Sequence, residues 1–346
     1  IKKAKIIIIS HLGRPKGTRV PELSLMPIYK YLKKTLKTNV FFFRGTIDDE
    51  TKEKFSHLKE GEVLLIENIR YNKEETEDED NFSRKLGALG DIYINDAFSC
   101  SHRKQASVHN ITKFIEKRYA GPLFKKEVTA IDLVLKNQKE PVTCIIGGSK
   151  ISTKINVITS LSEKVNNLII VGAMANNFFV YKNFKVGRSL VENNTKEIIE
   201  NIYKKAKESN CEILIPEDCK VGKNFEGVGK NKNLEEIQED EIILDIGDDT
   251  IKNIKKKIEQ SNTVLWNGPA GYFENDNFAR GTISIAEIVS KNTTEKSLIS
   301  IIGGGDTLAA INKCKSKLSF SHLSTAGGAF LEYLEGKDLP GISVLK

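Results

Sequence analysis

Short runs of β-branched and aromatic apolar residues recur along the chain, and most are followed by stretches whose apolar positions return every three or four residues. The runs at 6–9, 40–43, 63–66 and 91–94 read as strands. Ile28, Leu32 and Leu36, spaced by four with Tyr31 alongside, predict a helix that Ser24 could cap. The rhythm resumes at 142–146, 168–171, 212–215, 242–246, 263–266 and 298–302. Helical stripes at Ile199, Ile202 and Ala206 and at Ile251, Ile254 and Ile258 lie between these runs. Strands alternating with helices in this way predict parallel sheets covered by helices on both faces. Between the two series, Gly121-Pro122 breaks the pattern ahead of a helical stretch through Ile131 and Leu135. That stretch reads as a connection between two domains, with an ordinary crossover helix inside one sheet as the alternative. The acidic run 74–80 predicts an exposed loop or the solvated start of a helix, and 220–233, rich in Gly, Lys and Asn, an exposed excursion.

Composition sharpens this picture only in places. A length of 346 residues suits roughly two domains, and 39% hydrophobic with 29% charged residues is ordinary for a soluble globular protein. The net charge of +7 comes from lysines spread along the whole chain, with no compact basic block interleaved with aromatics. It predicts solvated faces and no nucleic-acid footprint. The five cysteines are scattered without CxxC spacing, which argues against a disulfide framework or structural zinc and fits a reducing compartment. No apolar run has the length of a membrane helix, and no signal-peptide pattern opens the chain. Ile1 stands almost directly before a strand-like run, so an upstream portion is expected.

Candidate chemistry sits where strands end. Ile301-Ile302 runs into Gly303-Gly304-Gly305-Asp306-Thr307 and then a helical pattern. Glycine lets backbone approach a ligand, and the free N–H groups of a helix start favour an anion. Asp306 would repel a bare phosphate, so its presence suggests a bridging Mg²⁺; a tight turn with an Asp cap is the alternative. Val142–Ile146 likewise meets Gly147-Gly148-Ser149-Lys150, with Lys154 four residues on. Both lysines are expected on one face of a first helical turn, where cations oppose the helix dipole unless an anion compensates. Gly172, the segment Asn267-Gly268-Pro269 and the segment Ala326-Gly327-Gly328 repeat the device, so these loops should gather on one edge of one sheet. In the first half, His11, Arg14, Arg70, His102 and Arg103 lie just past strand ends, where open parallel sheets bind ligands. Converging arginines suit a small doubly anionic substrate, although a single loop arginine is usually a surface ion pair worth roughly 0–1 kcal/mol. Neither a Walker A loop nor a GxSxG elbow occurs. What remains is phosphoryl transfer by positioning and charge to an acceptor that needs no general base.

The ordered motifs Ser10-His11-Leu12-Gly13-Arg14-Pro15, Glu67-Asn68-Ile69-Arg70, Asn95-Asp96-Ala97-Phe98 with His102-Arg103, and Gly147-Gly148-Ser149-Lys150 resemble those of phosphoglycerate kinases. So do Trp266-Asn267-Gly268-Pro269, Phe278-Ala279-Arg280-Gly281-Thr282, Gly303-Gly304-Gly305-Asp306-Thr307 and Ser324-Thr325-Ala326-Gly327-Gly328-Ala329. The resemblance implies two doubly wound, Rossmann-like α/β domains joined by a hinge helix. Their expected bounds are 1–118 for substrate, 119–136 for the connecting helix and 137–329 for nucleotide, with the tail 330–346 returning to the first. It implies reversible transfer between MgATP and 3-phospho-D-glycerate, giving MgADP and 1,3-bisphosphoglycerate, in a cytoplasmic monomer without nucleic-acid or membrane partners. His11, Leu12, Gly13, Arg14, Arg70 and Arg103 would hold the glycerate. Gly148, Ser149, Lys150, Lys154, Gly172, Asn267, Pro269 and Glu274 would line the nucleotide site, with Gly304, Gly305, Asp306 and Thr307 on phosphates and Asp306 on Mg²⁺. Lys150, Gly304, Gly327 and Gly328 would act on the phosphoryl group in flight. The family's Arg-Val-Asp-Phe-Asn-like motif and a further substrate arginine are expected upstream of Ile1. A chain truly starting there would be a nucleotide-binding but catalytically silent relative. Ala326 and Ile243 stand where the resemblance leads one to expect glycine, restricting a turn and altering a wall of the adenine pocket.

Overall fold

The computed structural model describes residues 4–136, 138–314 and 316–345. They form two compact α/β units, Ile1–Lys125 with Asp338–Lys346, and Lys126–Lys337. The division falls inside the helix Pro122–Leu135.

In the first unit, the apolar runs become the parallel strands Ile6–Ile8, Val63–Ile66 and Val40–Phe43, in that order across a sheet. Val63–Ile66 is buried along its whole length, which is why it reads as a continuous apolar run and not as an alternation. Ile92–Asn95 pairs in parallel with Lys117–Ala120. The latter strand carries no apolar run and is mostly exposed, so the pattern gives no sign of it. Leu64, Ile66, Phe55, Phe82, Leu86 and Ile111 form the core, with Ile7 and Tyr93 packed against them. The expected helix is Met26–Thr35, and the Ser24 hydroxyl accepts from the Met26 N–H at 3.1 Å.

The second unit is built on six strands, all parallel, in the order His322–Ser324, Ile299–Gly303, Thr263–Asn267, Val142–Ile146, Asn167–Ile170, Glu212–Leu214. The chain enters at Val142–Ile146, winds outward to one edge, then returns beside its starting strand and winds to the other. The winding direction therefore switches between Val142–Ile146 and Thr263–Asn267. Registers pair Asn267 with Gly303 and with Ile146, Ile146 with Ile170, and Gly303 with Ser324. The glycine-rich loops thus leave the same edge of this sheet. Trp266 is fully buried in the core beside Ile145, Ile302 and Ile285, and its indole donates to the Gly268 carbonyl at 2.7 Å. At about 25 cal/mol per Å² over some 200 Å², burial of such a ring contributes about 5 kcal/mol.

Two expectations change. Residues 220–233 are not a bare excursion: Asp218–Gly222 pairs antiparallel with both Lys230–Asn233 and Ile242–Ile246 in a second sheet. The sequence Lys-Asn-Lys-Asn forms an exposed edge strand that lacks any apolar alternation. The first unit resumes at Asp338 and not at 330, because Phe330 and Leu334 of the helix Gly327–Leu334 are fully buried and the Leu334 carbonyl accepts from Ser160 Oγ within the second unit.

Candidate functional site

In the first unit, His11 and Arg14 follow the strand Ile6–Ile8, Arg70 follows Val63–Ile66, and Arg103 follows Ile92–Asn95. Asn68 sets the local geometry. Its Nδ2 donates to the carbonyls of Leu12 at 2.7 Å and Leu23 at 2.8 Å, while its Oδ1 accepts from the Arg70 N–H at 3.1 Å. Gly13 takes φ +64°, and its carbonyl accepts from Arg70 Nη1 at 3.0 Å. Arg70 Nη2 reaches Gln105 Oε1 at 3.2 Å, but its Nε is buried with no partner. Burial first, then the neighbouring Arg103 and Arg14, hold the Arg70 guanidinium below the ordinary arginine value, while Cys100 and Glu75 act against this. His11, 3.9 Å from Cys100 Sγ, is brought down to about 4 by burial and by Arg70 and Arg103. It is therefore neutral at pH 7. Arg103 Nε donates to His102 Nε2 at 3.1 Å. Arg103 and Arg14 both act against the Arg70 charge, a repulsion that an anion held beside them would relieve.

Sequence reasoning missed Glu75, hidden in the acidic run. It is buried, accepts from the Ser107 N–H at 2.9 Å and hydroxyl at 2.7 Å, and burial raises its carboxyl to about 7. Its backbone carbonyl accepts from the Ala106 N–H at 2.9 Å, which ties down the segment that follows Arg103.

In the second unit, a cleft of about 500 Å³ opens where the winding direction switches. Open parallel sheets bind ligands at this place. Gly148, Ser149, Gly172, Pro269, Glu274 and Asp306 all line it. Gly268 has φ +103°, and a Cβ there would collide with the Gly147 carbonyl, so the two loops touch backbone to backbone. Lys154 lies across them, with Nζ at 2.6 Å from the Gly147 carbonyl and 2.7 Å from Asn267 Oδ1. Burial brings its ammonium down to about 8, against the opposing pull of the Asp306 carboxylate.

The lysine pair does not share a helical turn, because the helix starts only at Ile155. Lys150 lies in the preceding loop with its side chain exposed, whereas Lys154 folds back onto strand-end carbonyls. Gly304 caps the helix Gly305–Asn312 at φ +98°, and a Cβ on Gly305 or on Gly327 would meet nothing within 4 Å. Both helix starts are therefore uncrowded by protein atoms at their first glycine. Gly328 is exposed in the first turn of the second of them. The Thr307 hydroxyl is buried and accepts from the Gly268 N–H at 2.7 Å, which leaves its O–H proton and its backbone N–H as donors. Asp306 is exposed on the cleft. Among the described residues, no group of three or more His, Cys, Asp or Glu could hold a metal by itself.

A phosphoglycerate kinase family model matches residues 1–337. The phosphoglycerate kinase of Wolbachia pipientis wMel is 42% identical over 345 residues, spanning 99% of this chain and 86% of that relative. The chain belongs to the phosphoglycerate kinase family. That of Bartonella bacilliformis is also 42% identical, over 344 residues, with the same coverage of 99% and 86%. The solved phosphoglycerate kinase of Coxiella burnetii matches with a TM-score of 0.89 at 37% identity, covering 99% of this chain and 86% of that one. Membership makes the chain an enzyme, a kinase, and a match along nearly its whole length favours this over a silent relative.

Within this phosphoglycerate kinase fold, the two non-glycine positions have different consequences. Ala326 takes φ −90° and needs no glycine, so its turn forms without penalty. Ile243 lines the cleft beside a register shift between Ile243 and Asp245, and its side chain adds apolar wall. Asp245 was not foreseen. Buried in the same wall, it accepts from the Gly281 N–H at 2.8 Å, and burial raises its carboxyl to about 7. Thr282 Oγ1 in turn accepts from the Ala270 N–H at 2.9 Å, so the start of the helix Arg280–Glu295 braces the loop after Asn267.

Proposed function

We propose that this kinase transfers a phosphoryl group reversibly between MgATP and the carboxylate of 3-phospho-D-glycerate, giving MgADP and 1,3-bisphosphoglycerate. The observation that carries the nucleotide half is a lysine held at the winding switch beside the cleft, with the helix starts at Gly305 and Gly327 leaving the same sheet edge. The arginine cluster of the first unit is assigned the glycerate through His11, Leu12, Gly13, Arg14, Arg70 and Arg103. Arg70 and its neighbours fork onto the two anionic groups, and His11 stays neutral so that it can accept or donate a hydrogen bond.

In the transfer, a glycerate carboxylate oxygen bonds to the γ-phosphorus as the bond to the β–γ bridging oxygen breaks. The acceptor is already an anion, so no general base is needed. Lys154 and the N–H groups of Gly304, Gly305 and Thr307 stabilise the nucleotide phosphates, with Asn267 and Pro269 shaping the loop and Glu274 on the ribose. Lys150, exposed on its loop, neutralises charge on the group in flight, with Gly327 and Gly328 presenting a second helix start.

A single hard carboxylate facing a phosphate cleft fits Mg²⁺, which is commonly held by one or two carboxylates together with substrate phosphates. Asp306 would hold it, and the ion supplies charge neutralisation on the phosphate oxygens. Among the described residues, no helix is long and apolar enough to cross a membrane. A cytoplasmic monomer without nucleic-acid partners completes the proposal. The test is calorimetric titration of Asp306→Asn with ADP, with and without Mg²⁺. The expected result is a loss of at least about tenfold confined to MgADP. Equal losses for both forms would remove the metal assignment.

A further inference from the structure

The turn that follows Lys150 is held by a carboxylate that the transfer chemistry leaves unused. Glu192 accepts from the Ser152 N–H at 3.1 Å and from the Ser152 hydroxyl. Its own N–H donates to Asn177 Oδ1 at 2.9 Å. Asn177 is buried and donates from Nδ2 to the Met174 carbonyl at 3.1 Å, and the Met174 N–H donates to the Gly148 carbonyl at 3.0 Å. A closed circuit therefore runs from the glycine loop at Gly148, through the loop after Asn167–Ile170, to Glu192 and back to the turn at Ser152. Burial works against a charged Glu192. Hydrogen bonds from Ser152 and Ile151 and the charge of Lys150 nevertheless keep its carboxyl below the ordinary glutamate range. Lys150 is exposed on a loop, and a long ammonium side chain there has many rotamers to lose before it can serve a transition state.

We propose that Glu192 is a positioning residue for Lys150, fixing the turn through Ser152 and supplying the counter-charge that holds the ammonium near the cleft until a phosphoryl group competes for it. The inference rests on the assignment of Lys150 above. A group that acts mainly in the transition state loses kcat when misplaced, with little change in substrate binding.

The experiment is steady-state kinetics on wild type, Lys150→Ala, Glu192→Ala, Glu192→Gln and the Lys150→Ala/Glu192→Ala double variant. Glu192→Ala should lower kcat about 10–100-fold with KM for MgATP within about threefold. Glu192→Gln keeps an acceptor for Ser152 and should fall between. In the Lys150→Ala background, removing Glu192 should cost no more than about twofold further. Ser152→Ala breaks the same link from the other side and should reproduce the kcat loss in part even if Glu192→Ala folds poorly. Equal losses in both backgrounds, or KM rising in step with the fall in kcat, overturn the proposal. If Lys150→Ala itself leaves kcat unchanged, the assignment of Lys150 fails instead.

Discussion

Replacing Arg70 with alanine separates the glycerate site from the nucleotide cleft. In the free protein Arg70 is 6% exposed and makes two hydrogen bonds, to the Gly13 carbonyl and Gln105 Oε1, while Nε has no partner. Arg103 and Arg14 also press on its charge. Each of the two bonds has a charged donor and is worth about 1.5–3 kcal/mol, but removing the guanidinium also relieves its burial and the repulsion, so unfolding stability should fall by about 2 kcal/mol, short of the 3–5 kcal/mol typical of breaking a buried ion pair. Substrate loses more. A bidentate guanidinium contact to an anion comprises two charge-assisted hydrogen bonds of about 1.5–3 kcal/mol each, so the affinity for 3-phosphoglycerate should fall by about 10²–10⁴-fold. Urea denaturation gives the first number. Initial rates with 3-phosphoglycerate varied at saturating MgATP, together with calorimetric ADP titration, give the second. A parallel loss of ADP affinity, or a 3-phosphoglycerate affinity within threefold of wild type, would refute the division of labour between the units.

Other outcomes follow from the same geometry. With Lys154 at about 8 in the free protein and 10.5 as its ordinary value, the unfolded chain binds more protons between those pH values. This group therefore costs stability at neutral pH, and the cost fades as pH rises from about 8 towards 10.5. Nucleotide phosphates should raise its pKa, so ADP binding near pH 8.5 should take up a proton, seen as a buffer-dependent enthalpy in calorimetry; no buffer dependence would argue against phosphate contact. Gly305→Ala should leave stability within about 0.5 kcal/mol of wild type yet weaken MgADP at least about tenfold, because a Cβ there meets no protein atom and would occupy the anion's place. Gly268→Ala should do the reverse, losing about 2 kcal/mol or more of stability through its φ of +103° and its contact with Gly147.

The strands that form the nucleotide cleft were legible because parallel strands buried on both faces read as apolar runs, as Val142–Ile146 and Thr263–Asn267 do. The glycine loops were legible for a related reason, since few other residues tolerate such close backbone approach. Lys117–Ala120 and Lys230–Asn233 escaped notice as polar edge strands held by pairing and not by burial. The inward fold of Lys154 depends on a late helix start at Ile155, which no local propensity announces. Glu75, Glu192 and Asp245 share a different difficulty. A single acid says nothing of its burial when the groups that satisfy it, such as Ser107 for Glu75 and Ser152 for Glu192, lie 32 and 40 residues away.

The most direct test of the account is turnover. Purified chain with MgATP should release ADP only when 3-phosphoglycerate is present, and the product should be an acyl phosphate trapped by hydroxylamine as the hydroxamate. Binding of MgADP without 3-phosphoglycerate-dependent ADP release would contradict it and would leave a nucleotide-binding relative in place of a kinase.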